Sequence, residues 1–179
     1  MGYTHYWNRN NEKDHDQETW NKFIADCKLL YKNMPDHTAT AGGFSIDDPL
    51  LLNGCFRYKN ATFNKNEVCF NGSGTTKREK NGKHWVDVLC DKPEHNDLGH
   101  ETFHLSRKRA NESTFCKTAR KPYDLMVTAC LLLYKYYFNC VTIDTDGTED
   151  DWSEAYKFIA SVFGKGRALE LKFQELKVS

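Results

Sequence analysis

"PYDLMVTACLLLYKYY", residues 122–137, runs directly into "FNCVTIDT", residues 138–145. Leu125, Met126, Ala129, Cys130, Leu133 and Tyr137 recur at three- and four-residue spacing, the period of a helix. The apolar face is wide, so the pattern predicts a mostly buried helix from Pro122 to Tyr137. Val141, Thr142 and Ile143 then predict a strand in "CVTIDT". Downstream, Trp152, Ala155, Phe158, Ile159 and Val162 in "TEDDWSEAYKFIASVFGKG" (148–166) predict another amphipathic helix. Thr148 and Asp151 suit its N-terminal cap, and Gly164 its stop.

Upstream, residues 2–8 alternate as a strand, with Tyr3, His5 and Trp7 on one face and Thr4 and Tyr6 on the other. Trp20, Phe23, Ile24, Cys27, Leu30 and Tyr31 mark a further helix that ends before Pro35. "TATAGGFSIDDPLLLNG" (38–54) reads as loop. Residues 54–106 read as short strands: "GCFRY", "EVCFNG", "HWVDVL" and "ETFHLS", broken by the turn signals Asn71-Gly72 and Asn81-Gly82. The tail, 167–179, reads as a weak helix or edge strand. With no repeat and no linker, residues 1–179 are expected to form a single-domain α+β sandwich, a mainly antiparallel sheet with about three helices.

The chain has 179 residues, 39% hydrophobic and 28% charged, which suits a globular fold with a real core. Its 25 basic and 25 acidic residues balance, which argues against general nucleic-acid binding. The longest apolar run is too short to span a membrane. The start, "MGYTHYWNRNNEKD", lacks the features of a signal peptide. The seven cysteines form no C-x-x-C pair, and several stand among apolar neighbours, so reduced core cysteines and a cytoplasmic setting are expected.

"CKTARKPYD", residues 116–124, gathers Lys117, Arg120 and Lys121 at the start of the central helix. Proline suits a first helical position, and the free amides there are already partly positive. Cations beside such amides fit a phosphate site, although they also suit a solvated loop. No glycine-rich cradle accompanies them. The rings of "MGYTHYW" pose a parallel choice between a core strand and a stacking wall for a flat ligand.

"MGYTHYW", Phe70-Asn71-Gly72, "ETF" and "FCKTARKPYD" together resemble an uncharacterised family of small proteins of bacteriophages and bacteria. The resemblance spans most of the chain and implies a cytosolic accessory protein, in the host cytoplasm if phage-encoded. It brings no catalytic residues. It marks Tyr3, His5, Trp7, Asn71, Glu101, Lys117, Thr118, Arg120, Tyr123 and Asp124 as matching the family's motifs.

Three other patterns carry chemistry. "HETFH" (100–104) fits H-E-x-x-H, but on a strand His100 and His104 stand about 13 Å apart and cannot share a metal. "DTDGTEDD" (144–151) fails the calcium-loop spacing at both ends and suits a helix cap, while Asp144 and Asp146 remain open as metal ligands. Cys116 beside cations could be a nucleophile, with His5 as its base, or a structural thiol.

The resulting expectation is a non-enzymatic protein that binds a small, nucleotide-like anionic ligand, with no cofactor. Tyr3, His5, Trp7 and Tyr123 would stack and hydrogen-bond. Lys117, Arg120, Lys121 and backbone amides would hold phosphate, Asn71 and Glu101 would read polar groups, and Thr118 and Asp124 count with them as ligand-binding residues. Such a protein could sequester a signalling nucleotide of host defence. The alternatives are a phosphodiesterase-like enzyme, with His5 or Glu101 as acid–base group and Arg120 as clamp, and a module that blocks a host protein. Self-association into a homo-oligomer stays open.

Overall fold

The computed structural model describes residues 2–35, 61–72 and 99–166, together with the backbone of short strands between them. In chain order the elements are β1 (Thr4–Arg9), α1 (Gln17–Lys32), β2 (Thr38–Ala39), β3 (Ser45–Ile46), β4 (Leu52–Asn53), β5 (Thr62–Phe63) and β6 (Glu67–Gly72). They continue with β7 (Thr76–Asn81), β8 (His84–Leu89), β9 (Phe103–Ser106), β10 (Phe115–Lys117), α2 (Asp124–Tyr137), β11 (Val141–Thr145) and α3 (Glu149–Phe163). The architecture is α+β, as expected. "GCFRY" and the 167–179 tail lie outside the described residues.

The described strand pairs are antiparallel, and the strands are divided among several small sheets. One has the order β10-β1-β11, and another gathers β4, β5 and β9 around β6. The expected turn at Asn71-Gly72 is instead the end of β6, where both residues pair with β4. Asn71 explains the extended form: its Oδ1 accepts from the Gly72 and His100 amides, and its Nδ2 donates to His100 O and Thr102 Oγ1. Its side chain thus staples β6 to the segment before β9.

α2 contacts α1, α3 and β11. Every residue from Asp124 to Tyr134 is buried, which is why its apolar residues spread beyond a single stripe. α1 buries Trp20, Phe23, Ile24, Cys27 and Leu30, and α3 buries Trp152, Ala155, Phe158 and Ile159. The caps follow local chemistry. Asp16 accepts from the Thr19 amide, and Thr148 and Asp151 form the expected capping box.

The structure corrects the expectation for the start of α2. Pro122 and Tyr123 form a turn, and the helix begins at Asp124. The first-turn amides are engaged. Asp124 N donates to Lys121 O, Leu125 N to Pro122 O, and Met126 and Val127 N to Tyr123 O.

Cys27, Cys116 and Cys130 are buried free thiols and Cys140 is a half-buried one. Cys69, within β6, is disulfide-bonded, which departs from the expectation of reduced cysteines. No helix among the described residues is long and apolar enough to cross a membrane.

A second polar cluster supports the far end of β1. Arg9 is 2% exposed, with Nη2 donating to Ser106 O at 2.7 Å and to Glu112 Oε1 at 3.2 Å. Tyr134 Oη donates to the same Glu112 oxygen at 2.6 Å and also meets His15 Nε2 at 2.6 Å. Burial, reinforced by Arg9 and Arg107, pulls the His15 imidazole down to about 3. The unfolded chain therefore binds this proton between about pH 6.5 and 3 while the native one does not. Stability should fall as pH drops through that window, by at most about 1.4 kcal/mol per unit from this group. Urea unfolding at stepped pH checks it, and His15→Gln should flatten the slope.

Candidate functional site

β1 is the centre of the site because it pairs on both sides. Thr4 faces Lys117, His5 faces Cys116 and Tyr6 faces Phe115 across β10, while His5 faces Thr145 and Tyr6 faces Asp144 across β11. Beyond β10, the Thr118 and Ala119 amides both donate to Tyr3 O, at 3.0 and 3.1 Å. The ring-rich N-terminal strand and the cationic turn before α2 are therefore joined.

The strand alternation holds, and its inner face is core. Tyr3, His5 and Trp7 are each at most 2% exposed. His5 bridges two elements: Nε2 lies 2.7 Å from Asp124 Oδ1 and Nδ1 2.9 Å from Thr145 Oγ1. A carboxylate only accepts, so Nε2–H donates to Asp124. Thr118 Oγ1 donates to the same Asp124 oxygen at 2.6 Å. Thr145 Oγ1 also accepts from the Gly147 amide. The imidazole is packed edge-on by Tyr3 at 4.9 Å and Trp152 at 5.3 Å between centroids.

Arg120 covers this group. Its guanidinium lies 4.0 Å from the centre of the Tyr3 ring and pairs with Asp151 at the start of α3. Burial works to raise the Asp151 carboxyl, but the Arg120 and Thr148 donors outweigh it and hold it below the usual range. The Tyr3 hydroxyl sits so close to Gly147 that a Cβ there would stand 2.5 Å from it. Burial, with Asp124 and Asp151 nearby, pushes the Tyr3 phenol up.

The turn itself is strained. Ala119 and Arg120 are successive non-glycine residues in the left-handed region, at φ 51° and 58°. Lys117, Arg120 and Lys121 are all partly exposed around it. The Lys117 stem lies across Gly2, and its ammonium forms no ion pair among the described residues.

The remaining expected residues brace the loop. Glu101 Oε2 accepts from the Lys117 amide at 2.6 Å, and Glu101 N donates to Lys117 O at 3.2 Å. The buried Tyr123 hydroxyl donates to Glu101 O at 2.7 Å. Trp7 lies further along the strand, edge-on to Phe103. Among the described residues, Asn71 reaches the loop through its bonds to residues 100 and 102. Thus Tyr3, His5, Thr118, Tyr123 and Asp124 form the floor, Lys117, Arg120 and Lys121 the rim, and Glu101 a brace. Trp7 and Asn71 stand apart.

The other chemical patterns take structural places. His104, on β9, meets Glu67 Oε2 at 3.3 Å and Ser113 Oγ at 3.4 Å, while His100 precedes the strand, so "HETFH" forms no helix. Asp146 Oδ2 accepts from the Thr4 amide, and no metal-binding group of His, Cys, Asp and Glu side chains occurs among the described residues. Burial pushes the Cys116 thiol up to about 12, away from a reactive thiolate.

Sequence reading missed Thr145, Asp151 and Trp152 as partners of this site, and the whole Arg9–Glu112–Tyr134–His15 cluster. Asp151 had a local role as a cap and gave no sign of its second one. Arg9 was foreshadowed, because continued alternation places it on the face of His5 and Trp7. Comparison with protein-family models, curated proteins and solved structures returns no match for this chain.

Proposed function

We propose that this chain binds a small, phosphate-bearing, nucleotide-like ligand at the turn between β10 and α2. The observation that supports this reading best is the paired left-handed backbone at Ala119 and Arg120. Such strain costs about 1–3 kcal/mol per residue and persists where surrounding structure imposes it, often at ligand clamps. Here β1, Glu101 and Asp151 impose it, and the turn so held carries Lys117, Arg120 and Lys121, each partly exposed. A phosphate on that rim gains charge-assisted hydrogen bonds. The engaged amides at the start of α2 leave this task to the side chains.

The buried floor positions the rim and does not itself stack on the ligand. The resemblance to phage proteins supplies a setting in which retention of a host-defence nucleotide in the host cytoplasm is the useful outcome. A hydrolytic reading draws on the orientation of His5 between Asp124 and Thr145, an arrangement suited to a general base. The complete burial of the imidazole weighs against it.

The test is to incubate the protein with a nucleotide mixture, wash it, denature it and weigh the released molecules. Intact nucleotide is the expected result. Altered nucleotide would make it an enzyme, and no nucleotide together with a co-purified host protein would make it an interaction module. Lys117→Ala with Lys121→Ala should weaken capture tenfold or more, about 1.4 kcal/mol, while far-UV circular dichroism stays unchanged.

A further inference from the structure

We propose that the outer face of the β10-β1-β11 sheet is a stacking platform, on which a nucleobase rests against Tyr6 and Phe115 while Lys117 holds the attached phosphate. This rests on the reading that the cationic rim takes phosphate, and it names the rest of the ligand. The inner face of β1 is filled by the protein's own rings, so a flat ligand has no place there. The alternation that buries His5 and Trp7 turns Tyr6 outward.

Tyr6 is 42% exposed, and its direct partner across the ladder, Phe115, is 53% exposed. The Cβ atoms of directly paired residues on one face stand about 4.5–5.5 Å apart, so the two rings rise from adjacent positions of one exposed face. Exposed rings on neighbouring strands, with a cation beside them, are how sheets hold bases: every base has a π-face, and the phosphate supplies the charge.

Lys117 shares that face, because it is two residues from Phe115 and pairs with Thr4. Two residues along a strand span about 6.6 Å, comparable with the reach from a base to its own phosphate. The Lys117 ammonium forms no ion pair among the described residues, so a phosphate is its natural complement. On the other side of Tyr6 stands the exposed Asp144, which can accept from a base amino group or a sugar hydroxyl. A cation at one end of the rings and an acceptor at the other suit a nucleotide better than a purely apolar partner.

The experiment compares adenosine 5′-monophosphate with ribose 5-phosphate by calorimetry, on the intact chain and on Tyr6→Ala, Phe115→Ala and Tyr6→Phe. The nucleotide should bind about tenfold or more tighter than the sugar phosphate, in line with the contribution of one stacked base. Either alanine variant should erase that difference and leave sugar-phosphate binding unchanged, and Tyr6→Phe should keep it. Equal binding of the two probes by the intact chain would overturn the platform and leave the phosphate rim standing. Failure of both probes would overturn both. Binding of a short single-stranded DNA without the mononucleotide would overturn the proposal in favour of a strand-binding face. Both rings are exposed, so the variants should keep the parent's circular dichroism.

Discussion

Asp124→Ala should lower the free energy of unfolding by about 3–5 kcal/mol, read from urea titration. Asp124 is 7% exposed, and one of its oxygens accepts from both His5 Nε2 and Thr118 Oγ1. Both donors are fully buried, so alanine leaves each without its acceptor in the interior. The desolvation penalty of each orphaned group then falls on the folded state. His5 also loses the anchor that orients it against Thr145, so β1, α2 and β11 are loosened together. Asp124→Asn keeps one carbonyl oxygen at the site and should lose less. A loss below about 1 kcal/mol for the alanine variant would mean that the pair does not organise this end of the core.

Glu112→Ala should have an effect of similar size, about 3–5 kcal/mol, at the other end of β1. The Glu112 side chain is 1% exposed, and its two oxygens serve Arg9, Tyr134 and Arg109. Without it the Arg9 guanidinium stays in the interior with no counter-charge among the described residues. Backbone carbonyls of Lys13, Ser106 and Arg107 still accept from it, but they carry no formal charge. Arg9→Met in the Glu112→Ala background should recover part of the loss, because it removes the stranded charge and refills much of the volume. Additive losses in that cycle would show that the two residues act separately.

The two clusters also show what the sequence could carry. The helices were legible because their information is local: α1 and α3 show apolar residues at helical spacing, and Thr148 and Asp151 are close enough to be recognised as a cap. β1 was legible as a strand for the same reason. The sign of its faces was not. Alternation separates Tyr3, His5 and Trp7 from Tyr6, but only the packing of α2 and α3 decides which set is buried. The partners of His5, at positions 124 and 145, are brought in by topology, and no local pattern announces them. The same holds for Arg9 and Glu112. At the start of α2, Pro122 suggested a first helical position. The competing turn over 121–123 took the chain instead and satisfied the helix amides. Asn71-Gly72 reads as a turn by propensity, yet the Asn71 side chain bonds hold it extended.

The most direct measurement of the central claim is chemical-shift mapping of the isotope-labelled chain during titration with adenosine 5′-monophosphate. The expected result is saturable shifts at Tyr6, Phe115 and the 117–121 turn, with the Arg9–Glu112 end silent. Shifts centred elsewhere, or none at millimolar nucleotide, would contradict the account.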